Sequence, residues 1–286
     1  MKNKKITGIE LAWLIRRHAV EMTHLSQGSH IASILSVADI IGVLYAEVIN
    51  VFPDDPKNLD RDYFVLSKGH AGAAVYAALA ETGFFNPEIL KTHYKDGSIL
   101  SGHVSHKGVS GVEASTGSLG HGLSYAVGIA LALKKQGRKN KVYVVLGDGE
   151  CDEGQVWEAA LLATQYSLDN LIVIVDRNMM QSLDFTENTV KLEPFKQKWL
   201  AFNWNAVEID GHDCKKIKTS LLKMKKSKRP AVIICDTVKG KGISFMENNI
   251  LWHYRFPHLG GEYESSLEEL ELIRPATVCD PYKEGK

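Results

Sequence analysis

The 286-residue chain has an ordinary balance of residues, with 44% hydrophobic and 24% charged positions. Lys plus Arg and Asp plus Glu number 34 each, so the formal net charge at pH 7 is zero. This balance argues against nucleic-acid and membrane partners, because both need a basic excess. Four scattered cysteines without a CxxC pair indicate a reducing, cytoplasmic location. No apolar run is expected to reach the length of a membrane span.

Regular elements are predicted along most of the chain. Residues 1–22 predict an amphipathic helix whose apolar face is interrupted by Arg16 and Arg17. A strand at 63–70 leads into an alanine-rich helix, and a glycine-rich turn opens a helix at 118–137. Apolar strands and helices then alternate, at 141–148, 153–168, 171–178, 205–210, 213–226 and 230–237. Because such alternation is typical of βαβ crossovers, the predicted fold class is α/β, a parallel sheet flanked by helices.

The predicted elements form one domain over residues 1–260. The residues after Pro257 are acidic and then irregular, so residues 261–286 are expected to be a partly irregular, poorly ordered tail. Ligands of an open parallel sheet bind beyond the carboxyl ends of its strands. Glycine, histidine and charged residues follow three of the predicted strands, in SKGH, GDGECDEG and DRN. The functional site is therefore expected at that edge.

The segment at 147–178 carries the strongest chemical signal. Asp148 ends one predicted strand between Gly147 and Gly149, and Asn178 ends the next strand after one intervening helix. Both side chains could therefore converge at one edge of the sheet. A carboxylate and an amide oxygen are hard ligands suited to a magnesium ion that also holds phosphate oxygens, and the Met180 carbonyl could supply a third. An ordinary tight turn before a helix is the alternative interpretation.

This segment resembles the thiamin diphosphate motif, and its wider pattern, GDGxxxEGxxxEAxxxAxxxxLxNLIxxxDxN, resembles the transketolase family. The resemblance implies thiamin diphosphate as cofactor, its diphosphate bridged by Mg²⁺ or another divalent cation such as Ca²⁺. Asp148, Asn178 and the Met180 carbonyl are the implied metal ligands. The resemblance also implies catalytic and cofactor-binding roles for Glu153 and a weaker case for Glu158. A solvated helix start is the alternative for both.

Four further segments resemble the same family in its expected order. They place His30, His70 and His103 at active-site positions, and His253 near the cofactor diphosphate and the substrate entrance. Such histidines would donate hydrogen bonds to phosphates and substrate hydroxyls and move protons near neutral pH. The remaining residues implied to contact the cofactor are His70, Gly117, Leu119, Gly120, Gly147, Gly149, Glu153 and Asn178.

The resemblance covers residues 8–256, but a full transketolase is more than twice as long as this chain. It therefore implies the N-terminal, diphosphate-binding subunit of a split transketolase, which transfers a two-carbon ketol unit between sugars or sugar phosphates. The implied partner is a C-terminal transketolase-like subunit that carries the pyrimidine-binding domain, and the implied assembly is a heterotetramer. Two alternatives stay open: another thiamin diphosphate-dependent carboligase or 2-oxoacid dehydrogenase-type subunit, and a non-catalytic scaffold or regulatory binding protein.

The chain departs from the family pattern at two places that would face the substrate channel. Ser29, Ala32 and Ser33 replace glycines around His30. After His253 the split family usually shows Gly-Lys-Ala-Pro, where this chain has Tyr254, Arg255, Phe256 and Pro257. These departures favour a dedicated pathway over central pentose metabolism. Tyr254 and Arg255 are expected either to shape a different pocket or to pack on the partner.

Overall fold

The computed structural model describes residues 6–283; the ends of the two predicted terminal segments, residues 1–5 and 284–286, lie outside the described residues. Five parallel strands form one sheet in the order β1-β2-β3-β5-β4. The strands are β1 (Tyr63–Leu66), β2 (Val142–Gly147), β3 (Leu171–Arg177), β4 (Asn205–Asp210) and β5 (Ala231–Asp236). The α-helices are α1 (Gly8–Ser26), α2 (Ile31–Val43), α3 (Gly72–Glu81), α4 (His121–Lys135), α5 (Gly154–Gln165), α6 (Thr186–Thr189), α7 (Phe195–Ala201), α8 (Cys214–Met224) and α9 (Glu262–Leu272).

The sheet is covered on both faces, as the continuous apolar strands predicted. Successive residues of a strand point to opposite faces, so Tyr143 and Val145 enter one core and Val142 and Val144 the other. The first core is closed by α1, α2, α3 and α8, and the second by α4, α5 and α7. The α/β prediction is confirmed, and burial on both faces explains why β2 and β3 are built almost entirely of Val, Ile and Leu.

The carboxyl ends of the strands meet at one edge, where the loops after β1, β2, β3 and β5 lie together. Gly147 pairs with Asp176, and Arg177 pairs with Asp236 in the next strand. Asp148 and Asn178 directly follow β2 and β3, so strand register alone brings them to neighbouring positions. This is the edge at which the sequence predicted a site.

Helix α1 forms where its sequence predicts but is more deeply buried than an amphipathic surface helix. Thr7 and Glu10 form a capping box at its N-terminus. Arg16 and Arg17 are only 5% and 4% exposed. Arg16 pairs with Asp39 of α2, and Arg17 pairs with Asp280. The two arginines that interrupt the apolar face are thus buried, because each guanidinium group pairs with a carboxylate inside the protein.

The expectation of a poorly ordered C-terminal tail is wrong for residues 262–283. Helix α9 occupies the first part, and the irregular stretch after it packs along α1. The Trp13 indole donates to the Leu270 carbonyl over 2.8 Å, and Val278 is buried against Trp13 and Leu14. The Tyr282 hydroxyl lies 2.7 Å from His18 Nδ1. These contacts, which local sequence composition does not reveal, order the segment.

One stretch, Ile31–Val48, is long and apolar enough to cross a membrane by length and composition. The expectation that no run has this length is therefore wrong. The stretch is 94% buried inside the protein, where it forms α2 and one further turn. Its apolar character is that of a core helix, because it packs between α1, α3 and α8.

Candidate active site

A cavity of about 240 Å³ opens at the carboxyl edge of the sheet and gathers most of the predicted site residues. Its lining contains His30, His70, His103, Gly117, Leu119, Gly147, Asp148, Gly149, Asn178, Met180 and His253. Gly120 and Glu153 are the two predicted site residues outside this lining. Side chains from widely separated segments therefore meet in one concave site.

The four predicted histidines form one cluster around His30. The His30 ring centroid lies 5.2 Å from that of His70, 5.5 Å from that of His103 and 5.0 Å from that of His253. The backbone of His30 has a φ of 75°, and its N–H donates to the His253 carbonyl over 3.0 Å. A left-handed backbone conformation is unusual for a residue with a side chain. The hydrogen bond to His253 stabilises this conformation and thereby helps to position the His30 ring at the start of α2.

Burial keeps these rings neutral near pH 7. It lowers the pKa of His30 to about 4, with the nearby His103 and the Lys239 charge acting in the same direction. Burial and the charge of Lys239 lower the pKa of His253 to about 3. Burial also lowers the pKa values of His70 and His103. Neutral imidazoles can both donate and accept hydrogen bonds, and Nδ1 of His30 is buried without a partner.

Asp148 is a buried carboxylate that the protein leaves incompletely neutralised. It is 3% exposed and accepts hydrogen bonds from the N–H groups of Gly149 and Met179 at 2.9 and 2.7 Å. Burial nevertheless raises its pKa to about 6. A cation next to this carboxylate would offset the unfavourable burial of its charge. The donor set therefore fits a cation.

The other two predicted metal ligands line the same cavity. Asn178 Oδ1 accepts from the Met180 N–H over 3.2 Å, and the Met180 carbonyl accepts from Lys239 Nζ over 3.2 Å. Both oxygens retain a second lone pair. Residues 6–283 contain no group of three or more His, Cys, Asp or Glu side chains arranged for a metal. A cation here would rely on one carboxylate, one amide and one main-chain carbonyl, the oxygen ligands that Mg²⁺ and Ca²⁺ prefer.

A buried ion pair beneath the cavity was missed by the sequence analysis. Lys68 is 1% exposed and Asp176 is 0% exposed, and their side chains form a salt bridge. Asp176 also accepts from the hydroxyls of Ser36 and Thr237. Burial alone would raise the pKa of Asp176, but the charge of Lys68 and these hydrogen bonds hold it below its usual value. The pair joins α2 to β3 and to the loops after β1 and β5.

Lys239 is a second buried cation that the sequence analysis missed. Its ammonium group donates to the carbonyls of Met180 and Gln181 and lies 3.0 Å from His253 Nδ1. Burial, assisted by the charge of Lys68, lowers its pKa to about 8. A lysine ammonium donates only, so the neutral His253 ring accepts at Nδ1 and carries its proton at Nε2. Lys68 stands in the segment SKGH and Lys239 begins the segment KGKG at 239–242, but only the tertiary structure shows that both lysines are buried.

Glu150 ties the loops around the cavity together. Its buried carboxylate accepts from Ser67 and from the N–H groups of Gly120 and Gly147, the last two at 2.9 and 3.1 Å.

Gly117 has a φ of 153°, and a Cβ there would lie 2.9 Å from His103 Cδ2. The loop before α4 can therefore approach His103 closely only because residue 117 is glycine.

His103 is held from behind by Tyr76 of α3, another residue without a sequence signal. The Tyr76 hydroxyl donates to the His103 carbonyl over 3.1 Å and accepts from the Ser105 N–H over 2.8 Å. These two hydrogen bonds fix the backbone of an otherwise irregular loop.

Glu153 does not join the histidines within this chain. It is the exposed N-terminal cap residue of α5, and its Cβ lies close to Gly120 at the outer side of the loop. Glu158, in the same helix, is exposed as well. Both carboxylates are exposed within this chain and lie outside the cavity lining.

With this geometry in place, comparisons with known proteins identify the family. Residues 9–257 match the family described as transketolase, thiamine diphosphate binding domain. The chain is 44% identical over 259 residues to an apulose-4-phosphate transketolase subunit of Actinobacillus succinogenes, covering 90% of this chain and 93% of that relative. It is 39% identical over 286 residues to the 6-deoxy-6-sulfo-D-fructose transketolase subunit SqwG of a Clostridium species, covering all of both chains.

A solved structure shows the same fold. The transketolase of Campylobacter jejuni superposes with a TM-score of 0.87 at 32% sequence identity, and the match covers 92% of this chain but 42% of that one. The chain thus spans less than half the length of the solved transketolase. The family match and the donor set of the cavity agree on thiamine diphosphate, because neutral histidines can donate hydrogen bonds to an anionic diphosphate and the buried lysines add positive charge near it. This chain belongs to the transketolase family, as an N-terminal subunit with the thiamine diphosphate-binding domain.

Proposed function

We propose that this chain is the diphosphate-binding subunit of a split transketolase that transfers a two-carbon ketol unit between sugar phosphates. The observation that carries the proposal is the convergence of four neutral histidines and three hard oxygen ligands on one cavity. Bound thiamine diphosphate supplies the electron sink that carbon–carbon bond cleavage and formation require. This chain would supply binding, orientation and proton transfer, in the cytoplasm as the sequence suggests.

The proposed cation is Mg²⁺, or another divalent ion such as Ca²⁺, held by Asp148, Asn178 and the Met180 carbonyl. Its charge would neutralise both the buried Asp148 and the phosphate oxygens. His70 and His253 line the same cavity and would donate to the diphosphate. The buried ammonium group of Lys239, whose hydrogens are already engaged, would add a positive charge nearby.

His30 and His103 would act on the substrate rather than on the diphosphate. Both rings line the cavity and are neutral near pH 7, because burial lowers their pKa values. A neutral imidazole can donate to a substrate hydroxyl or accept its proton. We assign these two histidines to orientation of the sugar and to proton transfer.

The second half of the site would come from a partner that carries the pyrimidine-binding domain. A more open groove of about 640 Å³ adjoins the cavity at Gly117. Tyr125 of α4 and Leu161 and Leu162 of α5 are 50%, 58% and 45% exposed. Apolar side chains of this size on two packed helices favour coverage by another chain. We place the partner on this face, where it would also approach Glu153, in a heterotetramer of two chains of each kind.

The names of the two relatives described above support a substrate class. These names refer to less common sugars, apulose-4-phosphate and 6-deoxy-6-sulfo-D-fructose. Together with the departures around His30 and His253, these names support a dedicated pathway for the present chain. The two alternative functions, a 2-oxoacid dehydrogenase-type subunit and a non-catalytic scaffold, have no comparable support.

The test starts from a tagged pull-down in the native cells, with mass spectrometry of the recovered chains. We expect a polypeptide of transketolase type that carries the pyrimidine domain. The purified pair is then assayed with thiamine diphosphate and Mg²⁺ on linear, branched and sulfonated ketoses. Recovery of this chain without such a partner, or a pair that binds cofactor but transfers no ketol unit, would overturn the proposal.

A further inference from the structure

The residue after His253 occupies the mouth of the cavity. Tyr254 lines the cavity and is nevertheless 64% exposed. Its ring centroid lies 4.6 Å from that of His253 and 5.6 Å from that of His30. The phenol ring therefore lies beside both histidines where the cavity meets solvent. The family pattern usually has glycine at this position, which would leave the mouth open.

The segment around Tyr254 is anchored on both sides. Before it, Trp252 is 3% exposed and packs in a cluster with Ile31 and other apolar residues, and the His253 carbonyl accepts from the His30 N–H. After it, Arg255 pairs with Glu262, and its guanidinium carbon lies 4.9 Å from the Trp252 ring centroid. The backbone at Tyr254 is thus held in place, and Arg255 is engaged outside the cavity. Of the two neighbouring residues, Tyr254 lines the cavity and Arg255 does not.

The mouth carries no free positive charge among the described residues. The lysines of the lining, Lys68 and Lys239, are each 1% exposed and already engaged by Asp176 and by main-chain carbonyls. The histidines at the mouth are neutral near pH 7. A substrate phosphate therefore finds no ionic partner here, and this side of the channel selects by shape.

We propose that Tyr254 is a specificity-determining residue, whose ring narrows the channel over His30 and His253 and favours short-chain ketose phosphates over longer ones. This inference rests on the proposed function. A longer ketose would place an added hydroxymethylene group against a ring that packs on two histidines. For scale, one methylene more or less in a hydrophobic pocket changes kcat/KM by about ten- to two-hundredfold. Glycine at the same position would remove most of this discrimination.

The experiment uses the complex of the full chain with its native partner, loaded with thiamine diphosphate and Mg²⁺. The kcat/KM values are measured for five-, six- and seven-carbon ketose phosphates with one fixed acceptor aldehyde. In Tyr254→Gly we expect the five- to seven-carbon ratio to fall by about tenfold. Tyr254→Phe keeps the ring and should keep the ratio. Leu259→Gly, which places glycine at an exposed position of the same loop outside the cavity, is the matched control and should also keep the ratio.

An unchanged ratio in Tyr254→Gly would overturn the inference, as would a Tyr254→Phe variant that behaves like the glycine variant. An equal loss of activity with all three donors would overturn it too, because the ring would then be a general requirement and not a selector. Failure of Tyr254→Gly to assemble, while Leu259→Gly assembles, would instead assign the ring to the interface with the partner. If the wild-type complex binds cofactor but transfers no ketol unit from any linear, branched or sulfonated ketose, the proposed function itself has failed. A complex that uses sulfonated ketoses but no ketose phosphate would overturn this inference alone, and the two failures are thereby distinguished.

Discussion

At the scale of single residues, burial and neighbouring charges determine the protonation state of each titratable group in the site. The histidines stay neutral because burial opposes their protonation, whereas Lys68 and Asp176 stay charged because they neutralise one another. Asp148 has no ion pair; it accepts hydrogen bonds from the N–H groups of Gly149 and Met179 and from the Thr186 hydroxyl. This incomplete neutralisation is the observation that supports the proposed cation.

Asp148→Asn should abolish the stabilisation by cofactor and metal. The substitution keeps the side-chain shape but removes the charge that would hold a divalent ion. For the wild-type complex, thiamine diphosphate with Mg²⁺ at about a hundred times the dissociation constant should add about 2.7 kcal/mol to the free energy of unfolding. Differential scanning fluorimetry of both complexes, with and without ligand, measures the difference. A full ligand-induced shift in Asp148→Asn would contradict the metal assignment.

Asp176→Asn should destabilise the apo protein strongly, because it leaves Lys68 charged and unpaired in the interior. Removing one partner of a buried ion pair costs about 3–5 kcal/mol. Adding Lys68→Met to Asp176→Asn should restore part of that loss. Urea unfolding of the wild type, both single variants and the double variant gives the coupling free energy. Strictly additive effects would show that the two side chains do not stabilise one another.

At the scale of elements, the C-terminal segment, residues 262–283, packs against α1 and completes its burial. Asp280 is 6% exposed and pairs with Arg17, and Tyr282 stacks on the same guanidinium, whose carbon lies 4.3 Å from the ring centroid. Without this segment, the polar side of α1 would face solvent, as the sequence pattern of an amphipathic helix suggests. Helix α1 therefore has the sequence of an amphipathic surface helix but is buried on most of its surface in the structure.

Asp280→Ala should lower the free energy of unfolding by about 1–3 kcal/mol, because Arg17 loses one of its two carboxylate partners. Glu21 would remain as the other, at 3.1 Å. Lys283→Ala is the control from the same segment, since Lys283 makes an exposed ion pair with Glu271 and should change stability by less than about 0.5 kcal/mol. Equal effects of the two substitutions on the free energy of unfolding would show that the contact between Asp280 and Arg17 does not stabilise the protein.

At the scale of the whole molecule, the histidines make the fold sensitive to acid. The five histidines with lowered pKa values are His30, His70, His93, His103 and His253. The unfolded chain therefore binds more protons than the folded one below about pH 6.5, and stability falls as the pH drops from there towards about 4. The raised pKa of Asp148, about 6, opposes this trend over part of the range in the apo protein.

His93 isolates this effect, because it lies outside the cavity. It is 4% exposed, neither ring nitrogen makes a hydrogen bond, and burial lowers its pKa to about 4 despite a weak opposing contact with the Met22 backbone. His93→Leu should therefore differ little from the wild type at pH 7.5 but retain about 3 kcal/mol more stability at pH 4. Urea unfolding at both pH values measures this. Parallel losses in the two proteins would show that His93 does not contribute to the acid transition.

The sequence alone determined the layered architecture and the order of the site segments. Continuous Val and Ile runs demand burial on both faces, and GDG at the end of β2 and Asn178 after β3 meet wherever these strands are parallel neighbours. These are local patterns whose consequences follow from strand geometry. The same motifs supported the family, the cofactor and the histidines that line one cavity.

Only the tertiary structure decided which charges are buried and which way individual side chains face. Lys68 meets Asp176, and Asp280 reaches Arg17 across most of the chain. Glu153 adjoins a recognisable motif yet lies outside the cavity lining. Burial and charge state depend on partners that are distant in sequence, so no local pattern could have assigned them.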